Sequence, residues 1–253
     1  MIKIHQEVYG QGRPIVMIHG WAMHTGIWRE FAQQLAQHYQ VTCVDLPGHG
    51  LSETIEPYTL DQISDALIEV LPETPFTILG WSLGASVALT MAKYYSQRID
   101  SLILLAGNPR FVEDRGWVGM QPKLLEDFAN NLQLNCAATL VRFLALQVNS
   151  LPDNKNLLKQ LKKSIQECEV PAENVLQGGL DILMNEDLRG YLTSLSCPIN
   201  IIQGDKDALV PVQTVWDMQK IQPACEINII SGAGHAPFLS HQSEVIEIIS
   251  RFL

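Results

Sequence analysis

In the stretch Gly80-Trp81-Ser82-Leu83-Gly84, a serine stands two residues from a glycine on either side. There the strand formers Phe76-Thr77-Ile78-Leu79 give way to the small helix formers Ala85-Ser86-Val87-Ala88. A loop serine needs neither glycine. The pair makes sense where the backbone bends so sharply that a side chain at either position would clash, a bend that lifts the hydroxyl clear of the fold. A serine hydroxyl is a weak nucleophile until a base takes its proton, and the usual base is a histidine whose tautomer an acid holds fixed. Both residue types follow in the order expected for a nucleophile at such a corner. "IIQGDKDALVP" supplies Asp205 and Asp207 just past an apolar run, and "IISGAGHAPFLSH" supplies His235 past another, with His241 six residues later. Asp207 is the better acid, because Asp205 directly follows Gly204 and suits the turn. His235 is the better base. It follows the small loop Ser231-Gly232-Ala233-Gly234, whereas His241 falls near the start of the final helix.

A tetrahedral oxyanion needs two backbone N–H groups aimed at it. The residue after the nucleophile, Leu83, is one donor, and the loop after the first buried strand, "HGWAMH", makes Trp21 the other. The seven histidines show neither H-x-x-x-H nor H-E-x-x-H spacing, and no glycine pattern for a nucleotide follows the first strand. The chemistry is read as free of metal and cofactor.

The elements around these residues alternate. "RPIVMIHG", "QVTCVDLPGHG", "FTILG" and "IDSLILLAG" read as strands buried on both faces. Helical spacing runs through "IWREFAQQLAQHY", through "TLDQISDALIEVLPE" with Thr59 as N-cap, and through the segment after Ser82. That pattern predicts a mostly parallel sheet with helices on both faces. From Pro109 the signals are all helical, in "PKLLEDFANNLQ", "CAATLVRFLALQV", "NLLKQLKKSIQE" and "VLQGGLDILMNEDL". Strands then resume with "CPINIIQGD" and "CEINIISGAG", and the chain closes on "SEVIEIISRFL". The expected organisation is an α/β core, residues 1–108 and 189–253, interrupted by a helical lid over 109–188, above the carboxyl ends of the strands where ligands sit.

The bulk numbers agree with a single globular core. Of 253 residues 47% are hydrophobic and 17% charged, which argues against disorder. A net charge of −10 makes the molecule a poor partner for nucleic acid or an anionic membrane. Five scattered cysteines without a C-x-x-C read as reduced thiols, and no apolar run approaches the ~20 residues of a membrane span. The expectation is a cytoplasmic monomer.

Together, "VMIHGWAMHTGIW", "VDLPGHGLS", "LGWSLGASVAL", "QGDKDALVP" and "AGHAPFLSH" resemble the α/β-hydrolase family across the whole chain. Finer details are Trp81 inside the corner, Trp21 after His19-Gly20, "RFLALQ" and "GGLDIL". These are similar to the branch of methyl ester esterases that act on pimeloyl-[acyl-carrier protein] in biotin synthesis. The resemblance implies a cofactor-free carboxylesterase with Ser82 as nucleophile, Asp207 as acid and His235 as base. It implies substrate contacts from Trp21, Ser82, Leu83, His235 and the run Phe143, Leu144, Ala145, Leu146 and Gln147. It also implies a dock for an acidic acyl-carrier protein at Arg142, Lys155 and Lys159.

The residues bear on that dock independently. Lys155, Lys159 and Lys162 share one helical face and Leu157, Leu158, Leu161 and Ile165 another. The face is either a basic dock or an ordinary solvated surface, and Ala138, one turn before Arg142, is neutral where another cation would fit. A general short-chain carboxylesterase or thioesterase would carry the same triad, and a non-catalytic receptor on the same fold is the rival from outside enzymes.

Overall fold

The computed structural model describes residues 2–148, 151 and 153–253. Met1 and residues 149, 150 and 152 of the two expected segments lie outside the described residues. The strands are β1 (Gln6–Tyr9), β2 (Pro14–Ile18), β3 (Gln40–Val44), β4 (Phe76–Trp81), β5 (Ile99–Leu105), β6 (Ile199–Gly204) and β7 (Glu226–Ile230). They form one sheet in the order β1-β3-β2-β4-β5-β6-β7, in which β1 runs antiparallel to β3 and every other pairing is parallel. The apolar runs follow from that arrangement, since a parallel sheet has both faces covered. Along β2, Ile15 and Met17 enter one hydrophobic cluster while Val16 and Ile18 enter the other.

Helices α1 (Arg29–Leu35) and α11 (Gln242–Phe252) cover one face through Phe31, Leu35, Val245 and Ile249. On the other, α2 (Leu60–Ile68), α3 (Leu83–Tyr94) and α9 (Thr214–Ile221) bury Ile63, Leu67, Val87, Met91, Val215 and Met218. The Thr59 hydroxyl accepts the Gln62 N–H at 3.4 Å and starts α2 as expected. Between β5 and β6 the chain makes α4 (Pro122–Leu134), α5 (Cys136–Val148), α6 (Asn154–Ile165), α7 (Glu173–Asn185) and, at its end, α8 (Arg189–Ser194). A short α10 (Pro237–Ser240) precedes α11, and His241 is the cap residue between them.

Two expectations need correction. The stretch after Pro109 is not helical until Pro122. Residues 111–120 form a small loop closed by bridges between Val112 and Met120 and between Asp114 and Trp117, with the Trp117 indole N–H donating to the Arg110 carbonyl at 2.8 Å. The helix expected over 27–39 is shorter, a 3₁₀ turn at Thr25–Trp28 followed by α1. β1 and α9 carry no clear signal, because β1 is a four-residue edge strand with a half-exposed face.

The corner at Ser82 explains its glycines. Ser82 has φ 56° and ψ −119°, a conformation costly to any side-chain-bearing residue. A Cβ on Gly80 would lie 2.2 Å from the Gly84 carbonyl oxygen, and one on Gly84 would lie 2.4 Å from the Ile18 carbonyl oxygen. Both contacts are with backbone, so no rotamer relieves them. Gly84→Ala is therefore expected to lower the unfolding free energy by about 3 kcal/mol or more, measured by denaturant titration.

Beneath the loops after β2 and β3, His19 and His49 are wholly buried, and burial pulls each imidazole down to about 3. An unfolded imidazole titrates near ~6.5, so below that pH the unfolded chain takes up protons that the native state refuses until about pH 3. This contribution to stability is complete above ~6.5 and is lost as pH falls. The melting temperature is expected to drop steadily from pH 7 to pH 4, and His49→Leu is expected to flatten that drop. An unchanged slope in the variant would contradict the assignment.

Candidate active site

The carboxyl ends of neighbouring strands bring the expected chemical residues together. Ser82 caps β4, Asp207 follows β6 and His235 follows β7. The His235 Nε2 lies 2.9 Å from the Ser82 Oγ, and its Nδ1 lies 2.8 Å from the Asp207 Oδ2. A carboxylate oxygen only accepts, so Nδ1 carries the proton and Nε2 is left to accept from the serine hydroxyl. Asp207 is itself fixed: Oδ1 accepts the backbone N–H groups of Leu209 and Val210 at 2.8 and 3.0 Å, and Oδ2 accepts Gln203 Nε2–H at 2.9 Å. Ser82 is 5% exposed and His235 wholly buried, so the hydrogen-bonded chain runs in low dielectric.

Asp205 takes a different part. Its Oδ1 accepts the Gly232 N–H at 2.7 Å, which pins the loop leading to His235. The His235 backbone is held from two further sides, its N–H donating to the Gln147 carbonyl at 3.3 Å and its carbonyl accepting the Trp81 indole N–H at 2.8 Å. Trp81 and Gln203 are supporting residues that sequence reasoning missed. The available signals were a bulky indole inside a tight corner and an amide in the otherwise apolar run Ile199–Gly204.

Neither the Leu83 nor the Trp21 backbone N–H has a hydrogen-bond partner among the described residues. Leu83 opens α3, where unpaired N–H groups and the positive end of the helix dipole favour negative charge. Trp21 precedes Ala22, whose φ of 60° turns the loop back on itself. The Trp21 indole N–H donates to the Leu176 carbonyl of α7 at 2.9 Å, and its ring meets Phe143 of α5 edge-on at 4.8 Å. A Cβ on Gly179 would come within 2.6 Å of that indole and one on Gly178 within 2.8 Å of Tyr58, so the paired glycines let α7 settle onto the loop.

Along α5, Phe143, Leu144 and Gln147 are buried and Ala145 and Leu146 half-buried. Arg142 is exposed and stacks its guanidinium 5.4 Å from the centre of the Phe128 ring of α4. The lysines gather elsewhere. Lys155, Lys159, Lys162 and Lys163 line a surface groove of about 530 Å³ with Leu158 and Gln166, and none of the four is in an ion pair with a described residue. Arg142 does not line that groove. No group of His, Cys, Asp and Glu among the described residues could hold a metal ion, and no described helix is long and apolar enough to cross a membrane.

Comparison with known proteins places this geometry. A family model described as the alpha/beta hydrolase fold matches residues 13–242. The chain is 38% identical to a pimeloyl-[acyl-carrier protein] methyl ester esterase of Nitrosomonas europaea, covering 97% of this chain and 98% of that one. It is 37% identical to a protein of the same name from Methylococcus capsulatus, covering 98% and 97%. Among solved structures, an esterase from Exiguobacterium antarcticum superposes with a TM-score of 0.91 at 22% identity over 99% of this chain and 95% of that chain. This last likeness speaks for the fold alone. The chain belongs to the alpha/beta hydrolase fold family and is a hydrolase.

Proposed function

We propose that this chain is a serine carboxylesterase that hydrolyses the methyl ester of pimeloyl-[acyl-carrier protein] to the free acid and methanol in biotin synthesis. The hydrogen-bonded chain from Asp207 through His235 to Ser82 carries the ester chemistry. The substrate assignment is supported by relatives of that name at 33–38% identity over nearly their whole length.

His235 Nε2 takes the Ser82 proton as Oγ attacks the ester carbonyl. The oxyanion is stabilised by the N–H groups of Trp21 and Leu83. Collapse breaks the bond to the methoxy oxygen, which leaves as methanol with the proton from Nε2. Water then repeats the sequence on the acyl-enzyme, and Asp207 stabilises the transient imidazolium in each half.

The segment 109–188 serves as a lid whose α5 residues from Phe143 to Gln147 contact the acyl chain. Its lysine groove receives an acidic carrier on an enzyme whose net charge of −10 otherwise repels one. Lys155 and Lys159 belong to that groove, and Arg142 contributes separately from its place against Phe128. The enzyme works as a cytoplasmic monomer.

Two experiments follow. Ser82→Ala and His235→Ala are each expected to lower kcat by roughly 10⁴–10⁶, because they act as one unit. Asp207→Asn is expected to cost up to about 10⁴ through the wrong tautomer. Asp205→Asn, which only loosens a loop, should cost roughly tenfold or less. Silencing by Asp205→Asn with Asp207→Asn still active would overturn the choice of acid. In the second experiment, the double change Lys155→Glu and Lys159→Glu is expected to raise KM for the carrier-linked ester several-fold, since exposed pairs contribute ~0.2–1 kcal/mol each. Turnover of a small soluble ester should stay constant. Equal losses on both substrates would indicate a damaged lid, and no loss on either would make the lysines a solvated face.

A further inference from the structure

Five neighbouring strands end at the site, and four of them deliver a residue to it: β2 gives Trp21, β4 gives Ser82, β6 gives Asp207 and β7 gives His235. β5 lies between the strand of the nucleophile and the strand of the acid, and no role has been given to its end. Its backbone nevertheless carries the same mark as the ends of β2 and β4. Only three residues other than glycine among those described have positive φ: Ala22 in the Trp21 loop, Ser82 itself, and Ala106 at the end of β5, with φ 46°. Strained backbone of this kind persists where the surrounding structure enforces it, and it clusters at functional sites.

The turn at Ala106 is tied to the corner. The Ser82 N–H donates to the Leu105 carbonyl at 3.2 Å, and a Cβ on Gly107 would lie 3.3 Å from the Ser82 carbonyl oxygen. The next residue is Asn108. It is 4% exposed, and both its Oδ1 and its Nδ2 are buried without a hydrogen-bond partner among the described residues. A buried amide with neither atom paired is destabilising, and few native side chains are left so. Strain at Ala106 and an unsatisfied amide at Asn108, on either side of a glycine packed against Ala85 and the Ser82 backbone, have a common explanation in a ligand.

We propose that Asn108 is a further catalytic residue, whose amide contacts the oxygen that leaves in acylation and the oxygen that attacks in deacylation. The amide offers one atom for each half. In acylation the Ser82 Oγ–carbon bond forms and the carbon–alkoxy bond breaks, and Nδ2–H stabilises the departing oxygen as it receives the proton from His235. In deacylation the water oxygen bonds to the carbonyl carbon and the carbon–Oγ bond breaks. One water proton passes through His235 to Oγ, while Oδ1 accepts the other O–H and holds the water in line. An ester alone, which has only acceptors, would leave Oδ1 unpaired. An alcohol or a water satisfies both kinds of group.

The proposal rests on Ser82 being the nucleophile, and the test separates the two. Wild type, Asn108→Ala and Asn108→Leu would be followed on p-nitrophenyl butyrate by stopped flow and by intact mass of the quenched protein. The p-nitrophenolate leaves readily without assistance, so the burst is expected to persist in both variants. Steady-state turnover should fall about 10- to 100-fold, with a butyryl adduct accumulating on Ser82. Melting temperatures should hold or rise, since an unsatisfied amide has been removed. Unchanged turnover without an adduct would overturn the proposal. So would a parallel loss of burst and turnover with a lower melting temperature, which marks a structural residue. Absence of any Ser82 adduct in all three proteins, with turnover intact, would overturn the serine mechanism instead, and this role with it.

Discussion

The whole site depends on how closely three backbone segments approach beneath Ser82. Gly80 at the end of β4, Gly84 in the first turn of α3 and the carbonyl of Ile18 at the end of β2 leave no room for a single Cβ. That contact forces Ser82 to φ 56° and presents its hydroxyl above the sheet. It also sets the N–H of Leu83 at the free start of a helix, where charge and unpaired donors act together. Parallel strands supply the rest. Because their carboxyl ends share one edge of the sheet, loops separated by more than 150 residues along the chain meet over one serine, as the 153-residue separation of the His235–Ser82 hydrogen bond shows.

Around that contact the support is layered. The carboxylate of Asp207 is held by two backbone N–H groups and by Gln203, and Asp205 holds the neighbouring loop at Gly232. Trp81 and Gln147 grip the His235 backbone from opposite partners, one in the sheet and one in α5. The helical segment between β5 and β6 is thus joined to His235 by the hydrogen bond from its backbone N–H to Gln147, and to the loop after β2 by the Trp21 indole bonded to α7.

Much of this was legible in the residues. The chain order Ser82, Asp207, His235 and the glycines of the corner each had a physical reason that could be read without coordinates, and the buried strands announced themselves as apolar runs. What was hidden depended on tertiary contacts. The backbone turn at Ala106 has no signal in an alanine, and the pairing of Gly178 and Gly179 with Tyr58 and Trp21 becomes intelligible only once α7 is placed. β1 was hidden because a short edge strand needs no continuous apolar pattern. Residues 111–120 fall inside the segment whose elements were expected to be helical, and local bridges together with the Trp117 indole bond hold them as a loop. Arg142 is a lone cation in the apolar run from Ala138 to Leu146. Its stacking on Phe128, apart from the lysine groove, could not be inferred from spacing along one helix.

The proposed reaction cleaves an ester at the far end of a carrier-linked chain. Intact mass of the carrier, before and after incubation of its pimeloyl methyl ester with the enzyme, tests this most directly. The carrier is expected to lose the mass of one CH₂ and keep its acyl chain, at a rate abolished by Ser82→Ala. Release of the whole acyl chain from the carrier, with the methyl ester intact on the released product, would make the enzyme a thioesterase and contradict it.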